Sequence, residues 1–177
     1  MMNNTMPQAT PVFTIVGSLI SVLLQLMLAP SIAVFEVAPN FLLCFAVVNA
    51  MFTGVIRATS VGFILGLVYD LIAQGALGAM ALVLTIVAYA ISSLNKEAIS
   101  ISWTIQALFL LLSAFAGEIL YAAELAVIGY DDNFWLSFGM RVIPTTIYCG
   151  LIGLIIFLIM NRLNKNKRPE ILRSKFK

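Results

Sequence analysis

Long apolar runs separated by short polar breaks dominate the pattern of this chain. A helix needs about 20 apolar residues to cross the hydrocarbon core of a membrane, and most of the runs approach that length. The breaks contain proline, glycine, asparagine or charged residues, which favour turns. The pattern therefore predicts six helices: Val12–Ala29, Pro39–Ile56, Ala58–Ala73, Gly78–Leu94, Ile101–Ala126 and Gly139–Met160. The third is the shortest, at about 24 Å, which is less than a typical hydrocarbon core.

The composition supports a membrane protein. Hydrophobic residues make up 62% of the 177 residues and charged residues 10%, whereas soluble domains carry about 25% charged residues. The predicted fold is an all-α integral membrane protein with six transmembrane helices in one bundle, over residues 12–160. Residues 1–11 are predicted to be a disordered tail, and their lack of Lys and Arg argues against a cleaved signal peptide. Residues 161–177 form a basic tail.

Basic residues fall on one side of the predicted bundle. With six spans both termini lie on the same side, and that side holds every basic residue except Arg141. Since Lys and Arg concentrate in cytoplasmic segments, both termini are predicted to be cytoplasmic. The basic tail has two interpretations, an orientation anchor that also contacts anionic lipid or a docking site for a cytoplasmic protein.

The third helix carries a face of small residues that ends in an acid. Ala58, Gly62, Gly66 and Asp70 recur every four residues and therefore share one side of the helix. An ionisable side chain at membrane depth is costly and normally faces protein or water. The spacing of Gly62 and Gly66 is typical of close helix packing, either inside the bundle or with a helix of another protein.

Two more ionisable residues are predicted near the depth of Asp70. Glu118 lies towards the outer end of the fifth helix, and Arg141 enters the sixth helix at the outer level. Asp70, Glu118 and Arg141 are therefore predicted to meet in a buried ion pair, or one carboxyl group is protonated, since either lowers the cost of burying a charge. On the first helix, Gln25 belongs to a polar stripe that also contains Ser18.

No motif in the chain indicates catalysis. The sequence contains no histidine, which removes the commonest general base and metal ligand. Cys44 and Cys149 lie in apolar runs without metal-binding spacing. The pair Asp131–Asp132 either binds a cation or belongs to a solvated loop. We therefore expect a protein that is not an enzyme and holds no cofactor or metal.

Several short motifs resemble one family. They are Leu23-Leu24-Gln25-Leu26-Met27, Ala38-Pro39-Asn40-Phe41-Leu42, and Gly62-Phe63-x-x-Gly66-x-x-x-Asp70-Leu71 followed by Leu77-Gly78. With the length, the six spans and the basic tail, they resemble the rod shape-determining protein MreD, a bacterial inner-membrane family. Residues 38–90 carry the specific part, and the fifth and sixth helices match only in hydropathy and size.

This resemblance implies a non-enzymatic membrane scaffold of the cell-elongation machinery, the elongasome, which determines rod shape and synthesises peptidoglycan. The implied partners are an MreC-like single-span protein, the RodA glycosyltransferase, a penicillin-binding transpeptidase, the MreB filament and membrane lipid, with no nucleic acid. The implied location is the bacterial cytoplasmic (inner) membrane. The residues predicted to serve helix packing or partner binding are Gln25, Pro39, Asn40, Gly62, Gly66, Asp70 and Gly78.

The sequence also allows a second class of function. The MreD family is similar in architecture to the substrate-binding components of energy-coupling-factor transporters. The alternative is therefore a substrate-binding membrane subunit of a vitamin-type transporter, with an outward-facing cavity lined by Asp70, Glu118, Tyr121 and Arg141. A third idea makes Asp70 a proton-relay carboxylate of a transporter.

Overall fold

Six α-helices and no strand make up the described part of the chain. The structure is a computed structural model that describes residues 10–33, 38–73, 77–94, 103–129, 139 and 142–165. The helices are α1 Pro11–Met27, α2 Phe41–Phe52, α3 Val55–Ala73, α4 Ala79–Ser93, α5 Trp103–Ile128 and α6 Ile143–Lys165, with a 3-10 turn at Pro30–Ile32. The prediction of an all-helical fold is confirmed.

The second helix, α2, lies at the centre of the bundle. All of its 12 residues are buried, and it contacts each of the other five helices. A helix that is apolar on every side has no face to present to water and has to be surrounded by other elements. At 12 residues α2 is about 18 Å long. It is therefore α2, and not the third helix, that is short.

The boundary between α2 and α3 differs from the prediction. The Thr53 hydroxyl donates to the Asn49 carbonyl at 2.7 Å beyond the end of α2, and the Ala58 N–H donates to the Gly54 carbonyl at 2.9 Å. Charge at Arg57 suggested a loop there, but Arg57 is exposed on the first turn of α3. The expected 16-residue third helix is wrong, since α3 has 19 residues and is long and apolar enough to cross a membrane.

The first helix begins before its predicted start, and the last helix ends after its predicted end. The Thr10 hydroxyl accepts a hydrogen bond from the Phe13 N–H at 3.4 Å, and Pro11 is the first residue of α1. The first helix therefore begins one residue before the predicted start at Val12, because a threonine cap followed by proline favours a helix start. The last helix, α6, continues past Met160 to Lys165. Residues 1–9 and 166–177 lie outside the described residues.

Polar side chains of α1 face inward and apolar ones face outward. The buried residues of α1 are Thr14, Ser21 and Gln25. Its exposed large apolar residues are Val12, Ile15, Val16, Leu19, Ile20, Leu23, Leu26 and Met27. A helix on the surface of a soluble protein has the reverse arrangement. The exterior of α1 therefore suits lipid, and its polar groups find their partners inside the protein.

The α3–α4 pair has the most extensive helix contact in the described chain. Ala58, Gly62 and Gly66 are buried along it. A Cβ atom on Gly62 would lie 2.6 Å from the carbonyl oxygen of Leu84, and one on Gly66 would overlap the backbone of Ala81. Glycine is required because only a residue without Cβ allows this approach. Farther round the bundle, α5 packs on α4, and α6 packs on α5.

Candidate functional site

The carboxylate of Asp70 caps the N-terminus of α4. Asp70 is 1% exposed. Its Oδ2 atom accepts hydrogen bonds from the backbone N–H groups of Gly78 at 2.9 Å and Ala81 at 3.2 Å, and its Oδ1 atom accepts from Met80 at 3.0 Å. The first turn of a helix leaves such N–H groups without intrahelical partners. The positive end of the helix dipole lies at the same place, so a carboxylate is favoured there.

The turn before α4 depends on Gly78. Its φ of +98° is in the left-handed region, which favours glycine. The Gly78 carbonyl accepts the Leu82 N–H at 2.9 Å, while the Gly78 N–H donates to Asp70. Asp70 and Gly78 therefore work as a pair, because one supplies the acceptor and the other supplies the turn that presents the donors.

A second helix start is capped in a similar way. Gln25, near the end of α1, accepts a hydrogen bond from the backbone N–H of Phe41 through its Oε1 atom at 2.8 Å. The side chain of Asn40 accepts from the Leu43 N–H at 2.9 Å, as an N-cap residue does. The thiol of Cys149 on α6 donates to the Asn40 carbonyl at 3.4 Å. Three helices are thus joined at the start of α2.

Of the seven residues predicted to serve packing or partner binding, all except Gly78 are buried. The apolar motif residues Phe63, Leu71 and Leu77 are exposed. Pro39 is buried directly before Asn40. Gln25 and Asp70 bond to helix starts, and Gly62 and Gly66 lie against α4. In this arrangement the Gly62–Gly66 face is covered by the chain itself.

A polar contact between α1 and α2 was not predicted. The Thr14 hydroxyl donates to the side-chain oxygen of Asn49 at 3.1 Å, and Asn49 is fully buried in the middle of α2. Ser21, by contrast, donates to the carbonyl of Gly17 in its own helix at 2.8 Å. An asparagine inside an apolar helix was the available signal, since such a residue usually pairs with another helix.

The structure describes two of the three residues of the predicted ion pair, Asp70 and Glu118. Glu118 is buried on α5, at 3% exposure. Arg141 lies outside the described residues, so its pairing with Asp70 or Glu118 stays a prediction. The rings of Tyr69 and Tyr121 make an edge-to-face contact with centroids 6.0 Å apart. This contact brings the C-terminal part of α3 close to the C-terminal part of α5.

Glu124 is a further acid in this region, and it was not among the predicted site residues. It is half-buried on α5, one turn beyond Tyr121. Its Oε2 atom is buried and has no hydrogen-bond partner within the described part of the chain. Glu124 also lies within electrostatic range of Asp70. Acids from two different helices therefore lie near each other at this end of the bundle.

Comparison of the sequence with models of protein families gives a match. The family model for rod shape-determining protein MreD matches residues 8–167, which include all six helices. No curated protein and no solved structure matches the chain. The resemblance carried by the short motifs is confirmed. The expected similarity to energy-coupling-factor components stays a prediction, and no finding supports the transporter alternative.

Proposed function

We propose, since the chain belongs to the family of rod shape-determining protein MreD, that it is a non-enzymatic scaffold of the cell-elongation machinery. Membership implies a role in rod shape determination and a place in a membrane. The match over residues 8–167 is the observation that carries the proposal. The proposed activity is to bind an MreC-like single-span protein. RodA, the penicillin-binding transpeptidase and MreB join directly or through that protein.

The proposed topology has six spans in the bacterial inner membrane with both termini in the cytoplasm. All basic residues except Arg141 then lie on the cytoplasmic side. The apolar exterior and polar interior of α1 support a lipid environment for that helix. Fusions of alkaline phosphatase test the topology. Activity is expected for a fusion after residue 132 and not for fusions after residues 96 or 177, and the reverse result would exclude it.

The internal contacts support a scaffold with a defined shape. Side chains of α1 and α3 hold the starts of α2 and α4, and two glycines bring α3 against α4. Since these motif residues are used inside the chain, a partner has to bind to an exposed helix face. This interpretation gives Gln25, Asp70 and the two glycines a structural role and leaves the contact with the partner to exposed residues.

Co-purification tests partner binding. The full chain is expressed together with the MreC-like protein of the same organism, extracted in mild detergent and purified through a tag on one of the two. A stable complex is expected, and an unrelated single-span protein of similar length is the control. In cells depleted of their own family member, the chain is expected to restore rod shape. Absence of both effects would overturn the proposal.

A further inference from the structure

In the proposed topology, the outer half of the protein is more acidic than its orientation requires. Six of the eight acidic residues lie there, but only one of the ten basic residues, Arg141. These acids are Glu36, Asp70, Glu118, Glu124, Asp131 and Asp132. Orientation in a membrane is set by Lys and Arg, and acidic residues contribute little to it. The excess of acid on the outer side therefore calls for another cause.

Among the outer-half acids that the structure describes, Glu124 is the least buried. Asp70 is 1% exposed and accepts three backbone hydrogen bonds. Glu118 is buried inside the bundle. Glu124 is half-buried, and within the described ranges its buried Oε2 atom accepts no hydrogen bond. The carboxyl group of Asp70 lies within electrostatic range of Glu124.

An exposed apolar face of α5 adjoins Glu124. Leu112, Ala116 and Leu120 recur every four residues and are exposed. Val127, which follows Glu124 by three residues, is 88% exposed. A carboxylate beside such a face is costly in lipid unless it reaches water or a counter-charge. A helix with one basic side chain at this level would cover the apolar face and neutralise the carboxylate at the same time.

We propose that the Leu112–Val127 face of α5, with Glu124 as its polar anchor, binds a membrane-spanning segment that carries Arg or Lys near the outer interface. The inference deepens the partner binding proposed above and rests on it. It names the surface used and the chemistry of the segment that occupies it.

The test uses the full chain co-purified with the MreC-like protein. Glu124→Gln removes the charge and keeps the shape, so the amount of partner retained is expected to fall about tenfold. Glu124→Lys is expected to abolish retention, and a Lys→Glu or Arg→Glu change in the partner segment is expected to restore it. Leu151→Gln, at an exposed position of α6, is the matched control and is expected to bind as the wild type does. Size-exclusion profiles of the variants alone check that each is folded.

Photo-crosslinking identifies the occupant of the face. A crosslinker at position 127 is expected to capture the partner, and one at position 151 is not. If the wild type binds the partner and both Glu124 variants bind equally well, the inference is overturned and the proposed function stands. If the wild type does not bind, both fall. Crosslinks to a second copy of this chain, or rescue of Glu124→Lys by Arg141→Glu, would assign the carboxylate elsewhere and overturn the inference.

Discussion

Asp70 and Met80 are ten residues apart in the chain, yet the carboxylate of Asp70 accepts the backbone N–H of Met80 at 3.0 Å. Most helix caps come from the residue directly before the helix. Here the cap comes from the preceding helix, so the start of α4 is tied to the end of α3. The two glycines on the same face of α3 make this geometry accessible, because they let the two helices approach closely.

Removal of the Asp70 carboxylate should destabilise the protein strongly. Asp70→Ala leaves the N–H groups of Gly78, Met80 and Ala81 without their acceptor, and we expect a loss of about 3 kcal/mol or more in the free energy of unfolding. Asp70→Asn keeps one acceptor oxygen and should lose less. Unfolding by steric trapping in bicelles measures both. A change below about 0.5 kcal/mol for Asp70→Ala would contradict the cap.

A methyl group on the small-residue face should separate α3 from α4. In Gly66→Ala the new Cβ meets the backbone of Ala81, which cannot move aside as a flexible side chain can. Overpacking of this kind costs about 1–3 kcal/mol. Gly54→Ala is the matched control, because no atom lies within 4 Å of a Cβ placed there. Thermal stability of the purified protein separates the two, and an equal effect of both changes would argue against close packing at Gly66.

Backbone strain alone should account for the effect of a substitution at Gly78. No atom lies within 4 Å of a Cβ built at this position, but its φ is +98°. Gly78→Ala is therefore expected to cost about 1–2 kcal/mol. Gly78→Asn should lose less, since asparagine tolerates the left-handed region. If alanine and asparagine gave the same melting temperature as glycine, the left-handed turn would be wrong.

The polar contact between α1 and α2 should be measurable but modest. Thr14→Val removes the hydroxyl that donates to Asn49 and keeps the shape, with an expected loss of about 1 kcal/mol. The control is Ser18→Ala, because the Ser18 hydroxyl donates to a carbonyl of its own helix at 2.8 Å and joins no second helix. A double-mutant cycle with Asn49→Ala assigns the energy to the pair, and zero coupling would show that the two side chains act separately.

The helix pattern was predictable to within a few residues, apart from the boundary between α2 and α3 and the limits of α6. Apolar run length and turn residues are local properties, so they located α1 and α4 closely. A charged residue lowers the local hydropathy as a loop does, so Arg57 was assigned to a break between two helices. In the structure Arg57 is exposed on the first turn of α3. The short length of α2 follows from the Thr53–Gly54 break, which hydropathy does not register.

The sequence by itself determined the all-helical class, the small-residue face that ends at Asp70, and the motifs that belong to the MreD family. Only the tertiary structure decided what those residues contact. A buried carboxylate requires some partner, and a backbone N–H satisfies it as well as a cation does. The choice depends on where α4 begins relative to α3, which is a relation between two helices. For the same reason the central place of α2 and the inward polar face of α1 emerged only from the packing.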